Sequence, residues 1–404
     1  MTIFDKCASF TTARLLQAEG IYSYFTPVEA STATEVRVDG EWKIMVGSNN
    51  YLGLTHHPRI LEAQRRALEK YGSGATGSRF LNGTTDLHDE LEQRFATFFR
   101  KESALVFTTG YHASLGAVST FVGRNDHLFL DKFDHASIVD GARLAIGEVH
   151  RYPHGDFDAL ARQLAAVPPG SGKLVVTDGV FSMEGSIADL PRLVAITREH
   201  GAALLVDDAH ALGVLGENGA GTARHFGVDD QVDLIMATFS KSLASVGGVV
   251  AGPEQAIHYL RHHSRSLMFT ASAPPASVAG VLAALDVMEQ EPDRRERLWE
   301  STRRVAEGLR SLGFDTGASE TPIIPVLIGD PVQAARFWRG LFDLGVFAHP
   351  IVPPAVPANA SRMRVSMSAE HTDEQIEHVL DAFAQVARKV PVSWVAGKGT
   401  HAGP

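Results

Sequence analysis

Short apolar runs rich in Val, Leu, Ile and Phe recur through the middle of this chain between helix-length amphipathic stretches. They are Ala104–Thr108, His127–Asp131, Leu174–Asp178, Ala203–Asp207, Leu234–Ala237 and Gly247–Ala251. Strands covered by helices on both faces read as continuous apolar runs rather than as alternating ones, and such runs alternating with helical segments indicate βαβ units. The pattern predicts an α/β fold with a mainly parallel sheet between helical layers. Runs that end in Asp or Thr pass directly into loops. Ligands of open α/β sheets bind outside the carboxyl ends of the strands, so polar groups placed there are the first candidates for chemistry.

Flanking segments differ in character. Residues 10–20 read as a helix and Glu35–Val46 as a hairpin turning at Asp39-Gly40, since Asp-Gly suits a two-residue turn. After the central block, residues 276–313 are largely helical. Strands near 323–328 and 363–367 and helices over 332–344 and 373–388 then make a smaller α+β pattern. The prolines of Pro350–Pro357 exclude helix and central strand from the connection. The expected division is an N-terminal arm and hairpin over 1–52, a large domain over 53–285, a small C-terminal domain over 286–390 and a loose tail over 391–404.

With 404 residues and 44% hydrophobic content, the chain can bury more than one core. Its 37 Lys and Arg against 47 Asp and Glu give a net charge of −10, and no like-charge run is long enough to form a polyanion-binding tail. Nucleic acid is therefore not an expected partner. The single cysteine, Cys7, cannot form an internal disulfide, and the first residues lack the basic-then-apolar layout of a signal peptide. No apolar stretch reaches the roughly 18 residues needed to span a bilayer. The expectation is a cytoplasmic enzyme without stable membrane insertion.

Some motifs match chemistry only superficially. Gly72-Ser73-Gly74-Ala75-Thr76-Gly77 fits the dinucleotide-binding string, but that string must follow a strand and open a helix, whereas residues 60–71 read as an amphipathic helix. Pro169–Leu174 resembles a phosphate loop but lacks the Ser or Thr after Lys173. His258 and His262 have a metal-compatible spacing, yet Tyr259 stands where a metalloprotease needs Glu. No metal site is expected.

Four strand-end elements point to a single cofactor chemistry. Thr238-Phe239-Ser240-Lys241-Ser242 lies between two strands, with hydroxyls beside a lysine suited to Schiff-base formation once desolvated. Asp207 ends a strand and could keep a pyridine nitrogen protonated, with His210 three residues on able to reach a phenolic oxygen. Thr108–Ala113 runs from strand into helix, where amides near Tyr111 and His112 can receive a phosphate. His135, in Asp134-His135-Ala136-Ser137, could stack on a pyridine ring. Taken singly, Asp207 also fits a helix cap and Lys241 a surface turn.

In this order the elements resemble the α-oxoamine synthases, pyridoxal 5'-phosphate (PLP) enzymes of fold type I, from about Gly20 to about Arg388. Ser48–Leu54, Gly77–Thr84, Asp134–Ser137, Asp178–Gly185, Asp207–Gly213 and Thr238–Ser242 carry the likeness. The resemblance implies a mainly parallel seven-stranded sheet in a large domain with helices on both faces, and a smaller α+β C-terminal domain. It implies that Lys241 carries PLP as a Schiff base, Asp207 pairs with the ring nitrogen, His135 stacks on the ring and His210 contacts the phenolic oxygen. Gly110, Tyr111, His112, Ser182, Thr238 and Ser240 would complete the cofactor site. Thr270 would reach the cofactor phosphate of a partner subunit in a homodimer with shared active sites. Arg364, which alone would read as a surface ion pair, would clamp the amino-acid carboxylate, with Asn49 and Ser78 in the substrate site.

Within the family the likeness is greatest to the soluble bacterial serine palmitoyltransferase branch, through Gly77–Thr84, Ile257–Leu267 and Val352–Pro357. His112 departs from the apolar residue expected there. The implied reaction is decarboxylative condensation of L-serine with palmitoyl-CoA to 3-ketodihydrosphingosine, CoA and CO2. Alternatives are another amino acid, alanine or glycine, with another acyl thioester, and an aminotransferase on the same fold.

Overall fold

A computed structural model describes residues 2–390 and 392 of the chain. The expected tail over 391–404 lies outside the described residues except for Val392. The chain divides into two compact units. One comprises Asn49–Ser182 and Ser186–Glu296, and the other comprises the residues up to Ser48, Met183–Gly185 and the residues from Arg297 onward.

The first of these units is built on a seven-stranded sheet. Its spatial order is Ser103–Phe107, Gly248–Gly252, Leu234–Thr238, Ala203–Asp207, Lys173–Asp178, His127–Asp131 and Glu148–Tyr152. All neighbours run parallel except Gly248–Gly252, which is antiparallel to both of its neighbours. The predicted runs are all strands. The edge strand Glu148–Tyr152 had no sequence signal, because an edge position leaves its side chains largely solvated and removes the need for an apolar run.

Helices close the sheet. Ala113, Ala117 and Val118 of helix Gly110–Phe121 and Ile138 and Ala142 of helix Ala136–Leu144 pack in one core with Leu105, Leu130, Val176, Leu205 and Met236 of the strands. Complete removal of the Val, Leu, Ile and Met side chains among them from water stabilises by roughly 1.5–3 kcal/mol each. Gly72–Gly77 follows helix Pro58–Tyr71, not a strand, and the next helix starts only at Asp86, so the dinucleotide context is absent.

In the other unit, Glu35–Val38 and Glu41–Met45 form the expected hairpin, with Val38 opposite Glu41. Asp39 (φ 51°) and Gly40 (φ 79°) supply the left-handed pair that a tight two-residue turn requires. Val346–Phe347 adds a parallel strand to this hairpin. A three-stranded antiparallel sheet has the order Ile323–Gly329, Ser361–Ser366, His349–Ile351. Pro350 thus sits on an edge strand, where its missing N–H costs no ladder bond. No helix among the described residues is long and apolar enough to cross a membrane.

Candidate active site

Asp178 and Asp207 are register partners at the ends of adjacent parallel strands, Lys173–Asp178 and Ala203–Asp207. Both oxygens of Asp207 are held. Oδ2 accepts from Ser114 Oγ at 3.0 Å and Oδ1 from the Ala209 amide at 3.0 Å. Burial pushes the Asp178 carboxyl well above its usual range, and the Asp207 charge adds to this while Lys241 opposes it. Asp134 braces the same edge by accepting from the amides of Asp131 at 2.8 Å and Asp178 at 3.0 Å.

His135 caps helix Ala136–Leu144. Its Nδ1 lies 2.8 Å from Ser137 Oγ and accepts from the Ser137 amide at 3.2 Å. An Nδ1 used as an acceptor leaves Nε2 carrying the proton of a neutral ring. Burial lowers the pKa of His135, with Asp207 raising it and Lys241 lowering it further. His210 Nδ1 lies 2.8 Å from the Tyr51 hydroxyl. When that hydroxyl donates, the neutral ring of His210 carries its proton on Nε2.

The lysine turn is folded by its own hydroxyls. Thr238 Oγ1 donates to the Gly247 carbonyl at 3.2 Å and lies 3.0 Å from Ser240 Oγ. Opposite stands the start of helix Gly110–Phe121, capped by Thr109, whose Oγ1 accepts from the His112 amide at 3.1 Å. A Cβ at Gly110 would lie 2.5 Å from Thr238 Oγ1, and one at Gly248 would lie 2.7 Å from the Gly110 Cα. Glycine is what lets these segments approach so closely.

These groups border one cavity of about 320 Å³. Its lining contains Gly110, Tyr111, His135, Ser182, Asp207, His210, Thr238, Ser240 and Lys241, nine of the residues singled out from sequence. One end offers a helix N-terminus with Thr and Ser hydroxyls, a donor set for a phosphate. The other residues, a carboxylate, a lysine amine and two imidazoles, suit a flat heteroaromatic ring with a basic nitrogen and an aldehyde. A phosphorylated pyridoxal therefore fits the residues present.

Other expected residues lie elsewhere. His112 does not border the cavity: its amide is used by the Thr109 cap, and its Nδ1 is buried without a hydrogen-bond partner. The phosphate-holding role anticipated for that amide is thus taken up within the helix cap. Asn49 Oδ1 lies 3.4 Å from the Tyr51 hydroxyl, one step behind His210. Ser78 bridges to Ala271, the residue after Thr270, outside the cavity lining. Arg364 is buried in strand Ser361–Ser366 of the other unit, where its Nη1 donates to Ser366 Oγ at 3.1 Å and His349 is its cross-strand partner.

Sequence reasoning missed Ser114, Ser137, Tyr51 and Asp178 as site residues. Ser114 carries a readable signal, because four residues after Gly110 it lies one helical turn deeper on the same face. Tyr51 gives none, since its partner His210 is 159 residues away.

Residues 41–383 match the model of the family described as aminotransferase class I and II. The serine palmitoyltransferase of Sphingobacterium spiritivorum is 49% identical, with 96% of this chain and 97% of that protein covered. The 8-amino-7-oxononanoate synthase of Symbiobacterium thermophilum is 43% identical, with 93% of this chain and 96% of that protein covered. The serine palmitoyltransferase of S. paucimobilis, solved with a bound PLP–myriocin aldimine, superposes with a TM-score of 0.93 at 37% identity, covering 96% of this chain and 99% of that one. The chain belongs to the aminotransferase class I and II family, on its α-oxoamine synthase branch.

Proposed function

We propose that the chain is a PLP-dependent acyltransferase that condenses L-serine with a long-chain acyl-CoA, palmitoyl-CoA, releasing CoA and CO2 and giving 3-ketodihydrosphingosine. The observation that carries this reading is that Lys241, Asp207, His135 and His210 border one cavity in a chain 49% identical to a serine palmitoyltransferase. PLP, when bound, supplies an electron sink for an amino-acid α-carbanion.

The chain's own residues do the rest. Lys241, whose side chain borders the cavity, would hold the cofactor's aldehyde carbon through Nζ, and the same amine when free would accept the α-proton of the substrate. Asp207, fixed by Ser114 and Ala209, keeps a proton on the ring nitrogen. His135 would cover a face of the ring, and His210 would serve the phenolic oxygen, both from the cavity lining. Gly110, Tyr111, Thr238 and Ser240 hold the phosphate, with Ser182 at the cavity wall. The family resemblance assigns the substrate carboxylate to Arg364 and names Asn49 and Ser78 as further substrate residues. In the balance of the reaction, a carbon–carbon bond forms at the acyl carbon as the C–S bond breaks, the carboxylate leaves as CO2, and the α-carbon is reprotonated. Thr270 serves the phosphate of a second copy in a homodimer, and the enzyme works in the cytoplasm.

A related synthase using alanine or glycine is the second reading, supported by the 43% identity to an 8-amino-7-oxononanoate synthase. The test is to add L-serine, L-alanine and glycine separately to PLP-loaded protein and follow the visible spectrum, then supply palmitoyl-CoA and assay free CoA and CO2. A spectral response and CO2 release with serine alone support the first reading. A response confined to alanine or glycine moves the assignment to the second, and pyridoxamine formation without CO2 identifies an aminotransferase instead.

A further inference from the structure

Two histidines 23 residues apart in sequence meet far from the lysine chemistry. His127 opens strand His127–Asp131, while Glu148 and His150 lie on the parallel edge strand Glu148–Tyr152. The register pairs His127 with Glu148 and Phe129 with His150. Residues two apart on a strand share a face, so this pairing puts both imidazoles and the carboxylate on one side of the sheet. His127 Nδ1 lies 2.9 Å from His150 Nε2. Glu148 Oε2 is 3.8 Å from the first nitrogen and Oε1 is 3.6 Å from the second. Among the described residues, no other set of three His, Cys, Asp or Glu side chains comes this close together.

We propose that His127, Glu148 and His150 form a binding site for a divalent transition-metal ion of the zinc class. Zinc bonds of about 2.0–2.1 Å to nitrogen and oxygen arranged as a tetrahedron put ligand atoms roughly 3.3 Å apart, and the observed separations bracket that value. Two imidazoles and one carboxylate are a zinc ligand set that leaves one position for water. The exposure gradient provides that opening, since the side chains of His127 and His150 are 11% and 23% exposed and that of Glu148 is 67% exposed.

The surroundings hold the rings in place. His150 stacks on Phe129 with centroids 4.7 Å apart and planes 12° from parallel. On the other flank Lys173, register partner of His127, donates its ammonium to the His200 carbonyl at 2.6 Å. A bound ion would tie the edge strand to its neighbour, and none of the residues assigned to catalysis takes part. Without an ion, the 2.9 Å contact is a plain hydrogen bond between the two rings.

The experiment is calorimetric titration of the PLP-loaded protein with Zn2+ alone in chelator-free, phosphate-free buffer, paired with thermal melts. The expected result is one Zn2+ per chain and a melting temperature that rises with Zn2+, because an ion that binds only the folded state stabilises it. Loss of an outer-shell partner alone weakens metal sites by roughly 10–100-fold, so His127→Ala and His150→Ala should weaken Zn2+ at least that much. Glu148→Gln, a change at an exposed side chain that leaves the fold intact, should weaken it too, while Lys241→Ala should leave it unchanged. Absence of Zn2+ binding overturns the proposal. So does binding that is equal in wild type and Glu148→Gln, since the ion would then lie elsewhere.

Discussion

Ser114 Oγ donates a 3.0 Å hydrogen bond to Asp207 Oδ2 from the helix that also supplies Gly110 and Tyr111. Both groups are buried, Ser114 to 1% exposure and Asp207 to 3%. The helix that would receive the cofactor's phosphate therefore also orients the acid assigned to its ring nitrogen. Hydrogen bonds to charged groups contribute about 1.5–3 kcal/mol, and each 1.4 kcal/mol is tenfold in affinity. Ser114→Ala should weaken PLP binding by roughly ten- to a hundredfold, measured by titrating apo protein and following visible absorbance. Ser114→Asn, which restores a donor, should recover part of the loss. Unchanged affinity in Ser114→Ala would show that the Ala209 amide alone suffices to hold Asp207.

Tyr51 and His210 form a second such pair, with hydroxyl and Nδ1 2.8 Å apart and the tyrosine 1% exposed. Where the hydroxyl donates to Nδ1, it selects the tautomer in which His210 Nε2 carries the proton. Tyr51→Phe keeps the ring packing and removes the hydroxyl's contacts to His210 Nδ1 and Asn49 Oδ1. A net contribution of about 0.5–1.5 kcal/mol corresponds to a fall in kcat of up to roughly tenfold, with a smaller change in PLP affinity. Steady-state kinetics on CoA release check this, and an unaltered kcat would dismiss the tautomer role.

The sheet was legible in the sequence because its buried strands have no polar face to interrupt their apolar runs, and Asp207 and Lys241 were legible because they stand where such runs stop. Interactions set by tertiary pairing left no such trace. Tyr51 lies 159 residues from His210, and no periodicity links them. The edge strand Glu148–Tyr152, with Glu148, Val149 and Arg151 exposed, reads as loop because half-solvated strands have no need of an apolar run. His112 shows a local competitor at work. A strand-to-helix junction rightly suggested free amides, but the Thr109 hydroxyl takes the His112 amide, and a capping side chain three residues earlier is a local competitor that the motif alone does not weigh.

Gly110 provides a steric test of the cavity. A methyl group there would lie 2.5 Å from Thr238 Oγ1 and 2.6 Å from its Cβ, in a segment already pressed against strand Gly248–Gly252. Overpacking of this kind costs about 1–3 kcal/mol. Gly110→Ala should lower the melting temperature and weaken PLP binding, and it should cost less stability when introduced into a Thr238→Gly background, which lacks both the Oγ1 and the Cβ that the new methyl would meet. Differential scanning fluorimetry with and without PLP reads both effects, and a fully stable single variant would mean that the helix can retreat from Thr238.

His371 gives the C-terminal unit an acid-sensitive point. Its ring is 2% exposed, its Nδ1 accepts from the Ser368 amide at 2.9 Å, and burial pushes its pKa down to about 4. The unfolded chain, with an ordinary histidine near 6.5, binds a proton at higher pH than the folded chain does. Stability from this group is therefore complete above about pH 6.5 and is lost as pH falls through about 4, a difference of about 3 kcal/mol. His88, also lowered to about 4 by burial, acts in the same direction. Asp208, raised to about 7 by burial, acts oppositely and favours folding more as pH falls from 7 toward 4. His371→Asn keeps an acceptor for the Ser368 amide and removes the titration. Denaturant unfolding across this pH range should then show a flatter acid limb in the variant, even if packing loss lowers its stability at neutral pH. Loss of packing shifts the whole curve, whereas loss of a titrating group changes its slope, so parallel curves for variant and wild type would remove His371 as the source of acid sensitivity.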